Sequence, residues 1–205
     1  MNLGVLGALA LAGGFALGSI PFGVVVSRLF FKRDIRAEGS GNIGAANALR
    51  TLGKGGAIAV LVLDGLKGAL PVIIASALGA PKAIAVLGAL AAVLGHCYSP
   101  FLRGKGGKGV ATSFGAIFAL AWPAGVAFML IWIAVVIVSG FASAASLLAS
   151  IAMPFALWFM IGQWGLVYGV ISALVIIFKH RENLGRLRAG TENTLPLFAR
   201  GSGAR

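Results

Sequence analysis

Between Val110 and Phe178 no residue carries a charge. A run of about 18 or more apolar residues is long enough to cross a bilayer core of roughly 30 Å, and this stretch holds several such runs. Others occupy 3–27, 55–80 and 83–102, separated by short polar islands. With 59% hydrophobic residues and a mean hydropathy of +0.98, the chain lies far outside soluble globular norms. It reads as an all-α polytopic integral membrane protein.

Turn signals set the number of crossings. Gly79-Ala80-Pro81-Lys82 separates two spans. Trp122-Pro123, Ser139-Gly140 and Gly162-Gln163 divide 110–178 into four pieces. Of the seventeen Lys and Arg, all but Lys67 and Lys82 fall in three islands: 28–54, 103–108 and 179–205. Lys/Arg excess marks cytoplasmic loops, so all three islands are expected on the cytoplasmic side. The number of crossings between neighbouring islands is then even, which predicts seven helices, N-terminus outside and C-terminus inside. The piece 110–121 is short, and five spans plus re-entrant segments form the fallback. The start, MNLGVLGALALAGG, lacks the positive region of a cleaved signal and reads as a first span. A single domain is expected over 1–205, ending in a disordered tail at 201–205.

The net charge of +12 does not mark a nucleic-acid binder, because the cations are dispersed among membrane loops and form no single soluble face. One cysteine, Cys97, makes neither a disulfide nor a thiolate cluster. Five acidic residues and two distant histidines suggest no metal site, and no His-x₄-Asp acyltransferase motif occurs. No cofactor, metal or obligate protein partner is expected.

The islands are rich in glycine. In the first, Gly39, Gly41 and Gly44 let backbone N–H groups approach a ligand. Ser40, Asn42 and Asn47 add hydrogen-bonding groups, and Arg50 adds a planar cation suited to phosphate. The second island, RGKGGKGVATS, resembles a P-loop, but neither Lys105 nor Lys108 has the Gly-x₄-Gly-Lys-Ser/Thr spacing or a preceding strand. Gly104, Gly106, Gly107 and Gly109 around those lysines still form a cationic backbone cradle for a phosphate group. In the third island, His180, Asn183, Leu184 and Leu187 share one helix face, with Arg186 one turn beyond Asn183. Glu192 is placed to pair with a cation there. Within the second span, Asp64 and Lys67 lie at i, i+3, an expected structural ion pair. His96 stands near the inner end of the third span.

Taken in order, GSIPFG (18–23), GSGNIGAANALR, DGLKG, GHCYSPFLRGKGGKGVATS and HRENLGRLRAGTE resemble the bacterial PlsY family of acyl-phosphate:glycerol-3-phosphate acyltransferases. One departure is Ala46, where family members usually carry Thr. The resemblance implies seven membrane helices in the bacterial inner membrane with a cytoplasmic active site. It implies acyl transfer from acyl phosphate to the 1-hydroxyl of sn-glycerol 3-phosphate, releasing lysophosphatidate and inorganic phosphate. By that resemblance Ser40, Asn42 and Arg50 position phosphate, Lys105 and Lys108 neutralise it, and His180 and Asn183 orient the glycerol part or polarise the reacting carbonyl. Ser146, between the fifth and sixth expected spans, is a further lining residue. A transporter of a phosphorylated solute is the rival reading. It would need a path to the outside, whereas nearly all the polar residues fall on one face.

Overall fold

The computed structural model describes residues 2–196, and among these all regular structure is helical. The expected tail at 201–205 lies outside the described residues. Ten α-helices follow one another: α1 (Leu3–Ser19), α2 (Phe22–Phe31), α3 (Ala45–Thr51), α4 (Gly53–Ala77), α5 (Lys82–Cys97), α6 (Val110–Leu120), α7 (Trp122–Ser139), α8 (Ala142–Ile161), α9 (Gln163–Lys179) and α10 (Arg181–Arg188). Five stretches are long and apolar enough to cross a membrane: Leu3–Phe31, Gly53–Ala77, Lys82–Leu102, Trp122–Ser139 and Ala142–Ile161. The pair α9–α10 meets the same criterion as one unit bent by 60°, and α6 is a short apolar helix of eleven residues.

All four turn signals fall where helices end. The breaks lie at Leu78–Pro81, Ala121, Gly140–Phe141 and Gly162. One interruption is new. The first span, expected to be continuous, is broken at Ile20–Pro21, where proline supplies no N–H for the ladder. At this break the Ile20 carbonyl accepts a hydrogen bond of 2.8 Å from Lys67 Nζ as well as one of 3.1 Å from the Phe22 N–H. Apolar surroundings offer no water for such a group, so a buried side chain serves instead.

Small residues set the packing. The span Lys82–Leu102, which contains α5, is the most buried of the candidate spans, and α7 is the most peripheral. Helix α1 crosses α5 with Gly14 against Gly88 and Gly18 against Ala92, so closely that a Cβ at either α1 position would collide with the facing backbone. Gly68 and Gly115 bring α4 and α6 together in the same way. Where lipid is as apolar as Leu, close backbone approach of this kind supplies the van der Waals contact that holds helices together. The result is a bundle whose polar loops, the segment 32–44, the loop 103–109 and α10, meet around one cavity.

Candidate functional site

The cavity has a volume of about 380 Å³. One wall is apolar: Leu61 of α4, Phe114 of α6, and Phe128, Met129, Trp132 and Ile133 of α7. The other is polar and carries Ser40, Asn42, Arg50, Lys108, His180, Asn183, Arg186 and Glu192. Residues from all three islands therefore meet in one place. Asp64 and His96 reach the same cavity from α4 and α5.

The first island is shaped by Asn47. Its side chain, 1% exposed, accepts from the Ser40 amide at 2.8 Å and reaches the carbonyls of Ile35, Glu38 and Asn42 at 2.9, 3.1 and 2.8 Å. Asn47, expected to touch substrate, thus spends its amide on the loop. Gly39 (φ +60°) must wrap over that amide, since a Cβ there would lie 2.3 Å from Asn47 Oδ1. Gly41 also has positive φ (+69°). Gly44 caps α3, and its N–H donates to Asn42 Oδ1 at 3.0 Å. Arg50 is half-buried and lowered from its ordinary pKa by desolvation, yet stays charged. Its guanidinium donates to the carbonyls of Ala46 (3.3 Å), Asn193 (3.2 Å) and Thr194 (3.3 Å). Ala46 itself offers no hydroxyl to the cavity wall it helps form.

The second island divides its lysines. Gly106 and Gly107 lie against the end of α5: the Gly107 N–H donates to the His96 carbonyl at 3.0 Å. A Cβ on Gly106 would meet that carbonyl oxygen at 2.0 Å, and one on Gly107 would meet His96 Nε2 at 2.1 Å. Gly104 (φ +77°) and Gly109 (φ +84°) turn the chain at either side. Lys108 is thereby carried into the cavity, where it hydrogen-bonds Asn183 Oδ1. Burial is the main reason its pKa falls to about 8. Lys105 is not brought there. It is exposed, in a second pocket with Arg36, Arg103 and Phe101. The close seating of Gly106 and Gly107 on α5 leaves Lys105 outside, so of the two lysines Lys108 is the one that lines the cavity.

The third island supplies the remaining groups. His180 sits at the bend between α9 and α10 and is 3% exposed. Its Nδ1 lies 2.8 Å from the Ile176 carbonyl. A carbonyl only accepts, so Nδ1 carries the proton and Nε2 is left as an acceptor. Burial, then the nearby Lys108 cation, lowers the His180 pKa to about 4, so the ring is neutral at pH 7. Asn183 bridges Lys108 to Glu192, donating to Glu192 Oε1 at 2.6 Å. Glu192 also accepts from Ser143 Oγ (3.0 Å) and Arg186 Nε (2.8 Å). Ser146 sits one turn into α8, not in the connection where it was expected. Its hydroxyl donates to the Ala142 carbonyl and accepts from Trp132 Nε1.

Sequence reasoning missed the apolar wall, because Phe114, Phe128 and Ile133 look like any lipid-facing residue in a span. It also missed Ser143, which carries no local motif. Asp64 and His96 were singled out but not assigned to the cavity. Their polarity inside apolar helices was the available signal.

A bundle of apolar helices around a pocket lined by both cationic and apolar side chains defines an integral membrane protein with a site suited to an anion beside an apolar surface. A profile of the family described as glycerol-3-phosphate acyltransferase matches residues 8–190. The chain is 46% identical over 190 residues to the glycerol-3-phosphate acyltransferase of Nitrobacter winogradskyi, covering 92% of this chain and 96% of that one. It is 44% identical over 188 residues to that of Rhodopseudomonas palustris strain HaA2, covering 91% and 94%. Among solved structures, PlsY (YgiH), an integral membrane glycerol 3-phosphate acyltransferase, matches in its glycerol 3-phosphate form with a TM-score of 0.86. The identity is 36%, over 92% of this chain and 94% of that one. The lysophosphatidic acid form matches with a TM-score of 0.84 at 35% identity, with the same coverage. The chain belongs to the PlsY family of glycerol-3-phosphate acyltransferases, enzymes embedded in the membrane.

Proposed function

We propose that the donor is an acyl phosphate and that the products are lysophosphatidate and inorganic phosphate. The observation that carries this reading is the single cavity that Arg50 and Lys108 line together with Phe114, Phe128 and Ile133. Two phosphate-bearing substrates, one with a fatty tail, require that combination. The PlsY structures described as glycerol 3-phosphate and lysophosphatidic acid forms fit the same acceptor and product.

An acyl phosphate is a mixed anhydride with phosphate as leaving group. The protein's task is then to position two anions and offset their repulsion. Lys108, Arg50 and Arg186 supply the positive charge, and the Ser40 hydroxyl and the Asn42 Nδ2 supply further donors. Neutral His180 accepts at Nε2 from the glycerol 2-hydroxyl and so turns the 1-hydroxyl oxygen toward the acyl carbon, with the 1-hydroxyl proton directed at a donor phosphate oxygen. The C–O bond to glycerol forms as the acyl carbon–phosphate oxygen bond breaks. The hydroxyl proton passes to the departing phosphate, whose second pKa of about 6 exceeds that of His180 at about 4. The phosphate is therefore the stronger base.

The site faces the cytoplasm of a bacterial inner membrane, with seven crossings and the N-terminus outside. This topology is supported by the three basic islands meeting at one end of the bundle. Cysteines placed singly at Ala80 and Arg188 in a Cys97→Ala background test it: in intact cells only Ala80→Cys reacts with an impermeant thiol reagent.

The chemistry is tested on purified protein in detergent with chelator present. Palmitoyl phosphate and glycerol 3-phosphate are expected to give lysophosphatidate and phosphate one for one, while palmitoyl-CoA in place of the phosphate gives none. Equal turnover of the thioester would reject the assigned donor.

A further inference from the structure

Three ionisable residues lie buried inside the apolar helices without a place in the reaction above. Asp64 is 0% exposed, Lys67 2% and His96 3%. Lys67 Nζ stands 2.8 Å from Asp64 Oδ1 and also donates to the Ile20 carbonyl, so the ion pair ties α4 to the break between α1 and α2. His96 Nδ1 stands 3.6 Å from the same Asp64 oxygen. Asp64 Oδ2 and His96 Nδ1 have no hydrogen-bond partner among the described residues. Leaving such groups buried and unsatisfied is unfavourable, and such cases cluster at working sites. A pair kept only to join helices would need neither the third residue nor an opening onto the cavity, yet Asp64 and His96 both line it.

The opposite edge of the His96 ring meets the lysine loop. Gly107 is packed so tightly on His96 Nε2 that no side chain fits there, and the Gly107 N–H is held by the His96 carbonyl. The next residue is Lys108. We infer that Asp64 and His96 are positioning residues for the acyl transfer: the buried carboxylate stands 3.6 Å from one edge of the imidazole, the other edge seats Gly107, and that seat places the Lys108 ammonium at the substrate phosphate. His96 acts through Lys108 and does not itself handle a proton of the reaction. This role rests on the proposed function of Lys108 as the phosphate-neutralising cation.

A double-mutant cycle on the purified full-length enzyme tests it, with kcat and KM measured separately for glycerol 3-phosphate and palmitoyl phosphate. His96→Ala is expected to raise KM for at least one phosphate substrate about tenfold, within the range for directly coupled residues. The change in kcat stays within about threefold, and the thermal midpoint stays near that of the wild type. In a Lys108→Ala background the same substitution changes kcat/KM by less than about twofold. His96→Gln, which retains reach toward Gly107, restores most of the affinity. Should His96→Ala fail to fold, Asp64→Asn combined with Lys67→Met removes the partner charge while leaving the helix pair neutral, and is expected to give the same KM increase. Equal effects of the His96 change in both backgrounds, or unaltered KM values, would overturn the positioning role. If Lys108→Ala alone left activity intact, the reading of the phosphate site would fail instead, a result the cycle reports separately.

Discussion

Lys108 and Asn183, 75 positions apart in sequence, share a hydrogen bond that joins the glycine-rich loop to the last helix. The same Asn183 donates to Glu192, and Glu192 holds Arg186 and Ser143. Cation, amide and carboxylate form one connected unit, so the geometry of the proposed phosphate site depends on Glu192, which has no part in the proposed phosphate contacts.

Glu192→Ala breaks that unit. Three partners lose their acceptor at once, and Lys108, Arg186 and Arg50 are left as neighbouring cations. Leaving partners of this kind unsatisfied costs about 1–3 kcal/mol. The expected outcome is a lower thermal midpoint in detergent and a loss of activity exceeding tenfold, on the order expected for a disturbed first turn of the site. Glu192→Gln, which keeps the shape, loses less of both. Tryptophan fluorescence during heating and initial rates report the two effects.

In the proposed site the Lys108 ammonium is the working form, and burial lowers its pKa to about 8. The charge is present below that value and lost above it. The kcat/KM for glycerol 3-phosphate, which reports the free enzyme, is therefore expected to fall as pH rises past about 8. A bound dianion favours the charged form and raises the pKa again, so kcat declines at higher pH than kcat/KM. Lys108→Arg moves the alkaline limb beyond the accessible range. A profile unchanged by that substitution would contradict the assignment.

His180 is neutral and a weak base. Removing it with Ala costs orientation of the hydroxyl, for which a decrease in kcat of tens-fold is expected. This lies below the ~10²–10⁴-fold span of general acid–base groups. A loss beyond ~10⁴-fold in single-turnover rate would assign it a wider role.

Helix packing gives a prediction independent of chemistry. A Cβ at Gly68 would stand 1.9 Å from the Thr112 carbonyl, whereas one at Gly13 meets nothing within 4 Å. Gly68→Ala is expected to destabilise the protein by about 1–3 kcal/mol, while Gly13→Ala leaves it unchanged or slightly more stable. Thermal midpoints of the two variants decide between close packing and a merely permissive interface.

The helices were legible because apolar runs and turn residues are local signals. Pro81, Gly140 and Gly162 end or begin elements where they stand. The convergence of three distant islands was legible through charge, since Lys and Arg sort to one side. The break at Pro21 was missed because GSIPFG reads as part of an apolar run. Nothing local says that Lys67, far along the chain, will donate to the Ile20 carbonyl at that break. The unequal fates of Lys105 and Lys108 were hidden for a similar reason. Their spacing in a glycine loop is symmetrical, and only the seating of Gly106 and Gly107 on His96 separates them. Asn47 looked like a ligand-binding amide, and its use by Ile35, Glu38, Ser40 and Asn42 is a tertiary fact.

The most direct measurement compares Lys108→Met with Lys105→Met in the same acyl-transfer assay. The expected result is a loss of about 10²–10³-fold, the size of a lost charge-stabilising contact, for Lys108→Met, with Lys105→Met within about threefold of wild type, as for a solvated surface charge. Equal losses for both lysines would contradict a reaction centred on the cavity that Lys108 alone enters.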